Sequence, residues 1–139
     1  MYDIIFVCTG NTCRSPMAEV IAKNLMPDLV ITSMGVAASN GSPASENARK
    51  VMESWGLDLT SHNSKMIDRD LLASAKLVLT MTNSHLLAVK SLCKGANAHT
   101  LAKYVGEDKD IPDPFGADLE TYQVCAEEIK RLIFFLISL

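Results

Sequence analysis

The chain has 139 residues, 48% of them hydrophobic and 21% charged, and its formal net charge is -3. This is the length of one domain, 1–139, with enough apolar material for a packed core. The acidic balance argues against nucleic acid as a partner, which requires a basic surface, yet it leaves room for a locally positive pocket that takes a small anion.

The opening MYDIIF has neither the basic region nor the small-residue cleavage site of a signal peptide. The most apolar run, Leu132–Leu139, is far shorter than the roughly 20 residues that span a bilayer, so a buried helix end and no membrane partner are expected. Cys8, Cys13, Cys93 and Cys125 are irregularly spaced and read as free thiols of a reducing, cytoplasmic compartment. No repeat, linker or low-complexity tract interrupts the chain.

Ile4-Ile5-Phe6-Val7 is a short, β-branched apolar run and predicts a buried strand. Ser15-Pro16 predicts a helix start, and Pro27 ends that helix. Residues 29–33 predict a second strand and residues 35–41 a loop. Pro43 opens a helix that reaches about Trp55. A helix over 69–74, a strand over 76–81, a helix over 83–92 and a short strand over 98–101 follow. Residues 103–116 form a long polar loop. The last helix starts near Asp118, with Tyr122, Cys125, Ile129, Leu132, Ile133 and Leu136 as its apolar stripe. This alternation predicts a three-layer α/β fold: an open, four-stranded parallel sheet with helices on both faces. Ligands in such folds bind beyond the carboxyl ends of the strands, where the winding reverses. The loop after the first strand, beginning at Cys8, is therefore the expected site.

That loop reads Cys8-Thr9-Gly10-Asn11-Thr12-Cys13-Arg14-Ser15. A cysteine followed by five residues and an arginine means little alone, and Cys125 and Arg131 repeat the spacing inside a helical pattern, where the amides are already bonded. The first pair instead joins a strand to a helix amino terminus, where free N–H groups and the helix dipole favour an anion. Gly10 and Asn11 tolerate the left-handed angles that turn successive amides of residues 9–13 inward as a phosphate-binding nest. Arg14 supplies a bidentate fork. Thiols at such termini beside cations ionise at about 3.5–7.5, not 8.5, which suits Cys8 as a nucleophile that forms a phosphocysteine. Ser15 is a helix cap, a hydroxyl partner of the departing thiolate, or both. Asn11 is a turn residue or a pin for the loop.

The leaving group needs a proton. Among Glu107, Asp108, Asp110 and Asp113, the last stands between Pro112 and Pro114, which hold its carboxylate in a fixed place as a general acid requires.

Cys8–Pro16 (CTGNTCRSP), with Asp113-Pro114-Phe115 near the other end, resembles the low-molecular-weight protein tyrosine phosphatases. The likeness spans nearly the whole chain, including Ser33–Val36 (SMGV) and residues 61–65 (SHNSK). It implies Cys8 as nucleophile, Arg14 as phosphate ligand, Ser15 as thiolate partner and Asp113 as acid and then base, with phosphorylated proteins as substrates. Within the family the sequence is most similar to bacterial protein-arginine phosphatases: Thr12 stands where tyrosine-directed members usually carry Ile, and Phe115 is followed by Gly116 rather than a second aromatic residue. The resemblance implies that Thr12 helps select phosphoarginine, with Phe115 as a second specificity residue and phosphotyrosine as the alternative substrate. It also supports a reversible Cys8–Cys13 disulfide under oxidation, against which Cys13 is simply a small buried side chain. Lys65 stands where related sequences often carry Arg.

No metal or cofactor is expected, since no His or second Cys pair completes a zinc set and no Gly-Lys-Ser/Thr loop occurs. His62, His85 and His99 are scattered and read as structural or exposed. Two other readings use the same loop. Arsenate reduction needs a cysteine relay that Cys93 and Cys125 do not form in sequence, and a non-catalytic phosphoprotein-binding module would have no use for the acid. Oligomeric state has no signature in the sequence.

Overall fold

The computed structural model describes all residues, 1–139. The chain runs β1 (Ile4–Cys8), α1 (Arg14–Leu25), β2 (Ile31–Gly35), α2 (Glu46–Ser54), α3 (Arg69–Ser74), β3 (Leu77–Thr80), α4 (Asn83–Leu92), β4 (Ala98–Thr100), α5 (Leu101–Tyr104) and α6 (Leu119–Ile137). The four strands form one parallel sheet in the order β2-β1-β3-β4. β1 is buried along its whole length. Ile4 and Phe6 face the larger core with α1, α2 and α6, whereas Ile5 and Val7 face the smaller core with Leu72 of α3 and Val89 of α4. Two covered faces explain why β1 is continuously apolar instead of alternating. No helix is long and apolar enough to cross a membrane.

The chain leaves β1 to one side for β2 and later returns to the other side for β3. The winding reverses between β1 and β3, and Cys8 ends β1 at that point.

Several boundaries differ from the sequence expectation for identifiable reasons. β2 starts and ends two residues later than 29–33. Leu29 and Val30 are exposed, and Gly35 belongs to the strand, paired with Cys8. A Cβ at Gly35 would lie 2.5 Å from Thr9 O and 2.9 Å from Asn11 N, so only glycine lets the Cys8 loop lie this close to the strand. α2 begins at Glu46 rather than Pro43, with Ser45 at its cap position; Ser45 N donates to Thr12 O instead, and its hydroxyl receives Cys13 Sγ–H. α1 begins at Arg14, which puts Ser15 inside the first turn and Pro16 at its third position. β4 ends at Thr100, one residue earlier than expected, because the Thr100 hydroxyl caps the short α5, which takes Leu101 and the first two residues of the expected polar loop. α6 keeps the expected stripe, with Leu136 partly buried, but Phe134, Phe135, Ile137 and Leu139 are exposed, so its end is amphipathic rather than buried. Cys125 and Arg131 both lie within it.

Candidate active site

Asn11 carries the turn between β1 and α1. Its φ is +56°, the left-handed region that asparagine tolerates better than most residues; Gly10, expected to share that role, has no positive φ. Asn11 is wholly buried, and its side chain is fully used. Nδ2 donates to Ser15 Oγ (2.8 Å) and Ser33 Oγ (2.9 Å), and Oδ1 accepts from Lys65 N (2.9 Å). Its carbonyl oxygen accepts from His62 Nε2 and Ser64 Oγ, each at 2.7 Å. Its side chain lies behind the loop and pins it, the second of the two roles expected for it.

The hydroxyl of Ser15 caps nothing. It lies 2.9 Å from Cys8 Sγ and, at a longer 3.4 Å, near Met34 O. This oxygen accepts from Asn11, so its one proton is left for two acceptors, the sulfur at 2.9 Å and the more distant Met34 O at 3.4 Å. Ser33 in turn donates to Glu19 Oε1 (2.6 Å). A line of polar groups thus runs from Glu19 to Cys8 through Ser33, Asn11 and Ser15.

Arg14 is buried at the start of α1 and reaches across to the acidic loop. Nη1 donates to Ile111 O (2.8 Å), Nη2 lies 3.3 Å from Thr9 Oγ1 and 3.5 Å from Asp113 Oδ2, and Nε is buried with no protein partner. The loop carrying Asp113 is tied back by Ile111 N to Met81 O, by Asp110 Oδ1 accepting from Asn83 N, and by Glu107 paired with Arg131 of α6. Asp113 Oδ1 accepts from Phe115 N (3.0 Å), and its side chain is 48% exposed. A cavity of about 220 Å³ opens between residues 8–10 and 12–14 of the first loop and Asp113 and Phe115 of the second. The expected nucleophile, arginine, acid and specificity pair therefore meet at one opening, at the carboxyl end of the sheet.

Cys13 faces away towards α6: Sγ lies 3.3 Å from Tyr122 Oη and donates to Ser45 Oγ at 3.3 Å. Burial, then the bond to Cys13, pushes the Tyr122 hydroxyl up to about 12. All four cysteines are free thiols. Cys93 packs in the core on one face of the sheet and Cys125 in the core on the other, so no relay joins them. No group of three or more His, Cys, Asp or Glu side chains has metal-binding geometry.

The sequence profile of the low molecular weight phosphotyrosine protein phosphatases matches residues 3–137. The chain belongs to that family. Its membership makes it a phosphatase hydrolase. A protein-arginine-phosphatase of Geobacillus stearothermophilus is 39% identical over 136 residues, covering 95% of this chain and 91% of the relative. The low molecular weight protein-tyrosine-phosphatase PtpB of Staphylococcus epidermidis is 38% identical over 131 residues, covering 94% and 93%. Among solved structures, a Cys-to-Ser variant of the YwlE arginine phosphatase with a phosphorylated active-site serine superposes with a TM-score of 0.92. It is 36% identical and covers 96% of this chain and 91% of that one.

Two of the histidines expected to be structural or exposed support this low molecular weight phosphatase loop. His62 holds Asn11 O, and His85 Nε2 lies 2.8 Å from Thr9 Oγ1. His62 lies in the quoted stretch 61–65, which carried no role. His85 follows a capping threonine, Thr82, and nothing local marks it as a neighbour of the loop.

Proposed function

We propose that this protein hydrolyses phosphoarginine on cytoplasmic proteins through a phosphocysteine on Cys8. The observation that carries the proposal is Arg14 Nε, a buried donor with no protein partner on a side chain that lines the same cavity as Cys8. A buried guanidinium N–H left unpaired is costly, and a phosphoryl oxygen satisfies it.

In the first step Cys8 Sγ attacks phosphorus, an S–P bond forms and the P–N bond to the substrate guanidino group breaks. Asp113 gives its proton to that nitrogen. The amides of the loop and the Nε–Nη2 edge of Arg14 hold the three equatorial oxygens, where charge gathers in the transition state. In the second step Asp113 takes a proton from water, the water oxygen attacks phosphorus and the S–P bond breaks, giving inorganic phosphate. The Ser15 hydroxyl, 2.9 Å from the sulfur, stabilises the thiolate as it leaves.

Thr12 in the cavity wall supports the arginine reading. It is smaller than isoleucine, adds a hydroxyl, and leaves a polar wall beside a cationic, planar leaving group that the Asp113 carboxylate also suits. The competing phosphotyrosine reading is favoured by Phe115, which is 71% exposed at the rim and offers a face for a phenyl ring. Phosphate release from phosphoarginine and phosphotyrosine peptides of one sequence separates the two. The arginine reading expects the larger kcat/KM on phosphoarginine and a shift towards phosphotyrosine in Thr12→Ile. Faster turnover of phosphotyrosine reverses the assignment, and full hydrolysis by Cys8→Ser refutes the thiolate mechanism.

A further inference from the structure

We infer that His85, as a neutral hydrogen-bond acceptor, is a positioning residue for phosphate binding: it turns the Thr9 hydroxyl so that its lone pair meets Arg14. This rests on the reading of Arg14 as the phosphate ligand and extends it to a residue outside the loop.

The geometry is a four-member chain. Arg14 Nη2 donates to Thr9 Oγ1 at 3.3 Å, Thr9 Oγ1 lies 2.8 Å from His85 Nε2, and His85 Nδ1 lies 3.0 Å from Thr82 Oγ1. Thr82 Oγ1 also accepts from the backbone N–H of His85 (3.2 Å), because Thr82 caps α4. A hydroxyl that accepts from a guanidinium is polarised and gives its own proton more readily, so the bonds strengthen when every donor points the same way. The consistent order is Arg14 to Thr9, Thr9 to Nε2, and Nδ1–H to Thr82. It leaves Nε2 unprotonated and gives each threonine oxygen a partner.

His85 is buried among charged neighbours. Burial, and next the Arg14 cation, push its imidazolium down to about 4, while Asp110 and Asp113 act in the opposite direction. The ring is therefore neutral wherever a protein phosphatase works, and no second positive charge stands beside Arg14. Loss of the acceptor frees the Thr9 hydroxyl to rotate and point its proton at Arg14. The guanidinium then keeps only its Ile111 anchor and the exposed Asp113.

The test uses the full chain, with inorganic phosphate as a competitive inhibitor and thermal unfolding alongside. His85→Leu removes the acceptor, and His85→Gln keeps a carbonyl oxygen at similar reach. One buried hydrogen bond corresponds to about fivefold, so His85→Leu is expected to raise the phosphate Ki and lower kcat/KM by about that factor. His85→Gln should stay within about twofold of wild type. In a Thr9→Val background, His85→Leu should cost nothing further, since both changes break one chain. Thr9→Val should lose binding by itself and Thr9→Ser should keep it; where His85→Leu does not fold, His85→Asn, polar but too short to reach Thr9, should raise the Ki by the same factor, and an unchanged Ki there overturns the inference. The inference is overturned by an unchanged Ki in folded His85→Leu, by additive losses in the double variant, or by equal losses in His85→Gln and His85→Leu. Arg14→Lys in the same assay separates the two levels. If it leaves the Ki unmoved, the phosphate reading itself fails; if it raises the Ki while His85→Leu does not, only the role of His85 fails.

Discussion

Asn11→Ala is the most informative single change, because one small side chain holds the loop in three directions. The substitution removes the bonds to Ser15, to Ser33 and from Lys65 N, each contributing about 1 kcal/mol net in a buried setting. It also places alanine at φ +56°, where Asn stood. A left-handed angle costs an ordinary L-residue about 1 kcal/mol more than it costs asparagine. The sum is about 4 kcal/mol, a large share of the roughly 5–15 kcal/mol that holds a domain folded. At this chain length each kcal/mol moves Tm by about 3–4 °C, so a fall of roughly 12–16 °C is expected.

The two contributions separate by experiment. Asn11→Gly loses the same bonds but accepts the angle, so it should be about 1 kcal/mol milder than Asn11→Ala. Calorimetric melting measures stability, and kcat/KM measures whether Ser15 and Cys8 keep their orientation. A loss of about 10- to 100-fold in kcat/KM is expected, the scale of a displaced reacting group. Asn11→Ala melting within about 4 °C of wild type would refute the pinning argument. Asn11→Gly no milder than Asn11→Ala would remove the backbone-angle part alone.

Gly35→Ala should disable the enzyme while the sheet survives, because its Cβ would meet Thr9 O at 2.5 Å and Asn11 N at 2.9 Å. Near-normal kcat/KM in a folded variant would show that the loop gives way cheaply. Burial pushes the Cys125 thiol up to about 12, so iodoacetamide at pH 8 should label it far more slowly in the folded chain than in the unfolded one, read by peptide mass spectrometry; equal labelling in the two states contradicts the burial. The bond from Arg131, followed by its charge and that of Lys109, lowers Glu107 from 4.5 to about 2. A depressed carboxyl stabilises the fold above its unfolded pKa and loses that contribution as pH falls through the folded one. The Tm gap between wild type and Arg131→Met should therefore be widest above pH 4.5, close towards pH 2 and shrink in salt. A gap independent of pH would mean that Arg131 acts by packing.

What the sequence made legible was local, and what it hid was long-range. The β1-loop-α1 unit could be read because each part announces itself within a few residues: an apolar run buried on both faces, a turn-tolerant Asn11, and a helix start. The bounds of α3 and α4 matched because Asp68 and Thr82 cap them with their own side chains. Glycine at position 35 suggests a flexible loop by residue type, whereas its role is to be thin: the loop from Cys8 crosses directly over it. Ser15 offered two readings, and the helix start at Arg14 decided between them by turning the hydroxyl inward to the sulfur. His62 and His85 lie 51 and 76 residues from the loop atoms they hold, so no window of sequence contains both ends of either bond. Sheet order closes that distance. Because β3 lies beside β1, the turn after β3 must stand next to the loop after β1, and the first turn of α4 is brought against Thr9. Residues 82–85 thus become candidates for supporting the loop once strand order is known. Of these, Thr82 is committed to capping α4, and His85 alone carries a ring nitrogen on each side: one meets the cap and the other meets Thr9.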